Sequence, residues 1–371
     1  MGASIRVGKL FGIPIQVNYS WVFIFLLFTY VLANGFDDIE PEWPAAQRWS
    51  VAALTAVLFF LSVLAHELSH SVVAIHKGIP VRGITLFIFG GVSQLAHEAR
   101  RPFTEFLVAV VGPLASVILG SVLFGVRYLV GDVNHTLSDV LFFLASINVG
   151  LGVFNMLPGF PLDGGRVMRA AVWGLTGSYW RATQVATRSG QFIGVFMIVG
   201  GVMLAVFGAG LQSIWLSFIG AFLFSAATAS YRQEWNRERL KTYSVADAMA
   251  PDFRVLPWDT PLDSPLVSQE LARGNGLLAV AGEGQVHGVL TRRALARVPS
   301  REWPHTPLSQ AMLPLASLPF VAPGVSVADA LEQMEDEGFD HLAVRREGVL
   351  VGFISQNAIM HLFGALRRPR T

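Results

Sequence analysis

His66-Glu67-Leu68-Ser69-His70 sets two imidazoles four residues apart, a spacing that puts both on one face of a helix. From there they can share one metal ion. Glu67, one position along, can reach a water on that ion, which is the His-Glu-x-x-His chemistry of zinc hydrolases. The surroundings are unusual for such chemistry. The motif lies in the second half of an apolar run, residues 51–77, long enough to cross a bilayer. Ionisable side chains in a membrane helix are costly and point to function. The plainer alternative is a chance trio in which the histidines act as polar glue within a helix bundle.

A third ligand has to come from elsewhere. The 371 residues include no cysteine. Disulfides, a thiolate nucleophile and a cysteine-held metal are therefore excluded, and a zinc ion here needs His, Asp or Glu. The informative stretch is Asn155-Met156-Leu157-Pro158-Gly159-Phe160-Pro161-Leu162-Asp163-Gly164-Gly165-Arg166. Two prolines cannot sit in an undisturbed helix interior, and the glycine pair permits strained backbone. Broken helices at membrane depth are tolerated where they line a polar cavity. Asp163 follows the break at about the depth expected for His70. Two histidines, one carboxylate and a water in the fourth position make a catalytic zinc set. A helix cap at Asp163 would explain Asp-Gly-Gly, but not why a proline-broken segment enters the membrane.

The elements that carry these residues follow from composition. Mean hydropathy is +0.51, with 53% hydrophobic and 14% charged residues, a membrane-protein balance. Charged residues are sparse between Val17 and Tyr231 and common afterwards, so two materials are joined in one chain. Six spans are expected, at residues 17–33, 51–77, 103–130, 140–157, 191–207 and 211–231. Residues 78–95 are rich in β-formers and glycine and read as a hairpin or loop. Residues 1–16 read as a short segment ending in a Gly-Ile-Pro turn. Loop charges orient the bundle. Arg6, Lys9, Lys77, Arg101, Arg166, Arg188, Arg232 and Lys241 fall on one side. Asp37, Asp38, Glu40, Glu42, Asp132 and Asp139 fall on the other, with Arg48 as the exception. The positive-inside rule then predicts cytoplasmic termini in a multi-pass plasma-membrane protein, with the motif in the inner half of its span. A net charge of +1 gives no argument for a nucleic-acid partner.

Residues 245–365 read as soluble and repeat themselves at an offset of about 64 residues. Gly288-Val289-Leu290-Thr291 matches Gly352-Phe353-Ile354-Ser355, and Ala248-Met249 matches Ala311-Met312. The expected layout is a membrane domain at 1–231, a linker at 232–244, and repeats at 245–300 and 305–365.

Taken together, the motifs resemble those of the site-2 proteases, which are intramembrane zinc metalloproteases. The resemblance rests on His66-Glu67-Leu68-Ser69-His70 and on Asn155-x-x-Pro158-x-x-Pro161-Leu162-Asp163-Gly164-Gly165. Gly112-Pro113-Leu114-Ala115-Ser116 and Phe89-Gly90-Gly91 are supporting matches, and Ser69 stands where glycine is more usual. It implies one Zn2+ per chain, bound by His66, His70 and Asp163, with Glu67 as general base. It also implies that Asn155 faces the substrate, where its amide can bond the developing oxyanion; Asn148 is a weaker candidate. A membrane-dipping hairpin, residues 84–92, would pair with an unwound substrate segment by β-augmentation. The partners implied are a membrane-anchored protein substrate and the lipid bilayer.

The C-terminal repeat resembles a tandem of CBS domains, which often bind adenine nucleotides. Ala294 and Ala358 stand where the nucleotide-binding version carries an acidic residue. A docking or homodimerisation module is therefore expected rather than an ATP or AMP site, with Thr291 and Ser355 as polar contacts only. The expected fold class is a polytopic α-helical membrane protein, with about six transmembrane helices and a membrane-associated β-hairpin, plus a soluble α/β CBS pair. The expected function is hydrolysis of peptide bonds in or near transmembrane segments, in regulated intramembrane proteolysis. The alternative from another class is a CBS-regulated ion channel or transporter that uses the same residues as an ion site, because broken helices and buried charges suit transporters as well.

Overall fold

A computed structural model describes residues 4–39, 41–88, 90–130, 135–208, 210–250, 253–272 and 276–367. Glu40, Phe89 and Asp132, used in the sequence reading, lie outside the described residues. Two compact units are formed, Met1–Glu234 and Trp235–Thr371.

The first unit opens with a hairpin, β1 (Ser4–Leu10) and β2 (Ile13–Asn18). Its two-residue turn holds Phe11 and Gly12 in the left-handed region, the backbone that matches the twist of paired strands. A turn alone was expected there. The chain then runs through α1 (Tyr19–Ile39) and α2 (Ala45–His76), which carries the His-Glu-x-x-His motif. Next come β3 (Val81–Phe87) and β4 (Gly90–Leu95), the hairpin expected at 78–95. The four strands form one sheet in the order β1-β2-β3-β4, with β2 and β3 parallel and the other neighbours antiparallel. After the sheet follow α3 (Pro102–Val130), α4 (His135–Asn155), α5 (Asp163–Thr176), α6 (Tyr179–Val206) and α7 (Leu211–Leu240).

Among the described residues, six helices are long and apolar enough to cross a membrane: α1, α2, α3, α4, α6 and α7. The unit is inverted relative to a water-soluble protein. Phe192, Phe196 and Val206 are at least 70% exposed, so the outward faces are apolar and suited to lipid. Two boundaries differ from the hydropathy reading. α6 begins at Tyr179, twelve residues before 191, because Ser178 caps it by accepting the Arg181 backbone amide. Arg181 and Arg188 hide that start from a search for apolar runs. α7 continues to Leu240, through most of the 232–244 segment, since no glycine or proline interrupts its last two turns.

The second unit contains two sheets, β5 (Val255–Pro257), β6 (Leu277–Gly282), β7 (Gln285–Thr291) and β8 (Leu313–Pro314), and then β9 (Phe320–Val321), β10 (His341–Arg346) and β11 (Val349–Ser355). In each, a short strand runs parallel to the first arm of a hairpin. The hairpin turns, Glu283-Gly284 and Glu347-Gly348, both adopt positive φ. Ala279 and Val289 of one sheet and Ala343 and Phe353 of the other share a buried cluster, so the halves pack sheet on sheet. Thr291 and Ser355 are spent as helix caps, accepting the backbone amides of Ala294 and Ala358.

Candidate metal centre

Both histidines are 4% exposed and turn their Nε2 atoms toward each other, 3.2 Å apart. Asp163 Oδ2 lies 3.1 Å from each. These three residues form the one group of potential metal ligands among the described residues. The donor set fits zinc. A tetrahedral ion with ligand atoms at ~2.0–2.1 Å separates those atoms by about 3.3–3.4 Å, slightly more than the edges of this triangle. Three protein ligands leave the fourth position open, as catalysis requires.

Each imidazole is oriented from its far side. His66 Nδ1 is 2.9 Å from Ser116 Oγ, and His70 Nδ1 donates to the Val108 carbonyl at 2.5 Å. With Nδ1 engaged, Nε2 is the nitrogen left for a metal. Both supports come from α3, which also makes room for the rings. A Cβ on Gly112 would collide with His70 Nε2 and His66 Nε2, so only glycine lets α3 pass so close. Pro113, the next residue, lies inside the same helix. This accounts physically for the Gly112–Ser116 motif, whose individual roles the sequence did not reveal.

Asp163 is the first residue of α5, and the residue at the cap position is Leu162, with no side-chain cap. The capping alternative therefore fails: the carboxylate is turned to the histidines. The proline segment between α4 and α5 folds tightly against its neighbours. Phe160 N–H donates to Ala186 O of α6 at 3.1 Å. Gly164 and Gly165 lie against the backbone of residues 156–160, where side chains would not fit. The broken segment thus serves to bring the start of α5 up to α2.

Glu67 sits against β4. A Cβ on Gly91 would overlap its Cγ, and the Ser93 backbone amide is directed at its carboxylate. Ser71, one turn further along α2, is 2.8 Å from Ser93 through their hydroxyls. A Gly91→Ala chain is expected to push the Glu67 carboxylate aside and lower peptidase turnover tenfold or more, with metal content unchanged. Metal analysis beside a turnover assay checks this, and normal turnover would show that the contact is dispensable.

Asn155 is not brought to this group in the same way. Its amide nitrogen donates to Leu151 O one turn back in α4, at 3.0 Å. Asn148 is fully buried and bonds Leu144 O, and its Oδ1 has no partner among the described residues. The structure also shows an ion cluster that the sequence reading missed: Arg169 of α5 joined to Glu105 and Glu98. Burial of Arg169 with Glu105, beside the exposed Glu98, was legible in the sequence only as isolated charged letters.

The chain is similar to known proteins along most of its length. The model of peptidase family M50 matches residues 54–134 and 131–200, and that of the CBS domain matches 305–365. The Synechocystis sp. protein sll0528 is 32% identical over 368 residues, covering 97% of this chain and 95% of that protein. The chain is a zinc metalloprotease of peptidase family M50, the site-2 proteases. Zinc metalloprotease MJ0392 of Methanocaldococcus jannaschii is 31% identical over 252 residues, 68% of each chain. The solved site-2 protease from the same organism is 30% identical, covers 62% of this chain and 95% of that one, and superimposes with a TM-score of 0.45. Family membership sets aside the channel or transporter alternative, and it makes the six-helix unit that of a multi-pass membrane protein.

Proposed function

We propose that this M50 peptidase binds one zinc ion per chain through His66, His70 and Asp163. It would use Glu67 as general base to hydrolyse peptide bonds in or near the transmembrane segments of membrane-anchored proteins. The observation that carries this reading is the buried triangle of Nε2, Nε2 and Oδ2, with both Nδ1 atoms engaged behind it and a carboxylate one residue away. A zinc ion held there supplies a Lewis acid that polarises the scissile carbonyl and acidifies a water. Glu67 accepts the proton from that water and delivers it to the departing amine. The protein's further work is to exclude bulk water and to align the peptide. Asn155 is assigned no more than a contact with substrate near the end of α4. The basic loops support cytoplasmic termini in a plasma membrane. The repeated unit at 245–365 is read as a CBS pair for docking or dimerisation, with alanines at 294 and 358 speaking against a ribose contact.

A membrane helix has its peptide groups satisfied internally, so a substrate must unwind and find new partners before it can be cut. The hairpin was assigned that task, but β3 is paired on both sides, by β2 and β4. The strand with an open edge near Glu67 is β4, so the pairing site moves to Gly90–Leu95. The test compares membranes of cells carrying the wild-type and Glu67→Gln chains. Membrane proteins should accumulate at full length only in the variant, and if none does, the proposal fails. A photocrosslinker at Val92, which is 40% exposed, is expected to capture those accumulated proteins, whereas one at Ile5 on the opposite edge strand is not. Equal capture from both edges would remove β4 as the docking strand.

A further inference from the structure

We infer that Arg169 is a positioning residue that fixes Asp163 against the two histidines. His66 and His70 are each held from behind by α3, but Asp163 has its hydrogen bonds with the histidines it faces. Its placement therefore depends on the placement of α5. Arg169 stands on that helix fewer than two turns after Asp163. Its guanidinium is buried and donates through Nε to Glu105 on α3 and through Nη2 to Glu98, in the β4–α3 connection, at 2.8 Å. It lies over the Phe160 and Tyr179 rings, and the Tyr179 hydroxyl donates to the same Glu98 oxygen. Glu105 is 1% exposed and lies about one turn before Val108. One helix thus references all three ligands: Ser116 holds His66, Val108 holds His70, and Glu105 holds α5 through Arg169.

Adhesion alone does not explain this arrangement. A buried ion pair is commonly no more stabilising than apolar side chains of similar volume. Here it also leaves Glu105 Oε2 without a partner among the described residues, a cost that the fold carries. What a guanidinium fork adds is fixed geometry: it meets its carboxylates at set angles, whereas an aliphatic contact would let α5 slide or turn. Groups that orient metal ligands from behind ordinarily influence affinity by about 10–100-fold.

The inference rests on the proposed metal ligands, and the experiment separates the two. Full-length detergent-solubilised protein is stripped of metal and titrated with Co2+ against a chelator, recording visible absorption, while unfolding of the metal-free protein is followed by heat. Wild type should give the intense bands of a tetrahedral site. Arg169→Met should bind Co2+ about 10–100-fold more weakly, with weaker bands, and unfold at nearly the wild-type temperature. Arg169→Lys should recover part of the affinity. Unchanged affinity and spectrum in Arg169→Met would overturn the inference, as would a loss that merely tracks a lower unfolding temperature. If Arg169→Met does not fold, Glu105→Gln, which keeps the shape and an acceptor, bears the same comparison. A wild-type protein that takes up no Co2+ would instead sink the metal reading beneath it.

Discussion

Glu67→Gln is expected to lower peptide hydrolysis by ~10²–10⁴-fold while the purified protein keeps its zinc. Glutamine has nearly the shape of glutamate, so it can rest against Gly91 and meet the Ser93 amide without disturbing α2. It cannot accept a proton from water at neutral pH. The three residues proposed as ligands are untouched, so metal analysis should still find about one zinc per chain. His66→Ala should lose both the metal and the activity, because it removes one of three ligands. Reporter turnover measured alongside metal content distinguishes these outcomes. Full activity in Glu67→Gln would dispose of the proposed mechanism.

Gly112→Ala should be nearly as damaging, by another route. The added methyl would occupy space now filled by His70 Nε2 and His66 Nε2. Neither ring can retreat cheaply, because each is tied at Nδ1 to α3 itself. Overpacking costs about 1–3 kcal/mol, an amount a membrane domain can survive. Metal binding should be less tolerant, since the methyl lands on two of the three proposed donors. We expect zinc affinity to fall by ~10²-fold or more while the protein remains folded, because the methyl displaces both Nε2 atoms and strains the Nδ1 contacts that orient the rings. Gly125→Ala provides the control on the same helix, where a Cβ meets nothing and should be silent. Equal zinc content in the two variants would show that α3 does not crowd the site as described.

Much of this was legible in the sequence because membrane chemistry is sparse. Against an apolar background, His66, Glu67, His70 and Asp163 stand out, and the prolines at 158 and 161 mark where a helix must end. The six-span count follows from the same contrast. What stayed hidden depended on partners distant in sequence. Nothing in Ser4–Leu10 announces that its hairpin joins β3 and β4 in one sheet, since β2 and β3 are separated by two whole membrane helices. Ser116 and the Val108 carbonyl are ordinary until α3 is laid beside α2. Glu105 and Arg169 look like separate charged letters until folding makes them a pair. The start of α6 was missed because a serine cap, not apolarity, sets it.

The Ser93 amide, directed at Glu67 from the edge of β4, would set a condition on when the proposed base is free. One N–H makes one good hydrogen bond. A peptide added as a new strand along β4, as proposed above, would compete for that donor with its own carbonyl. Under the function proposed above, docking and readiness would be one exchange: an empty edge would keep the proposed base hydrogen-bonded, and an occupied edge would free it. An enzyme surrounded by the helices of every other membrane protein would, by this exchange, stay idle toward any chain that has not first come unwound.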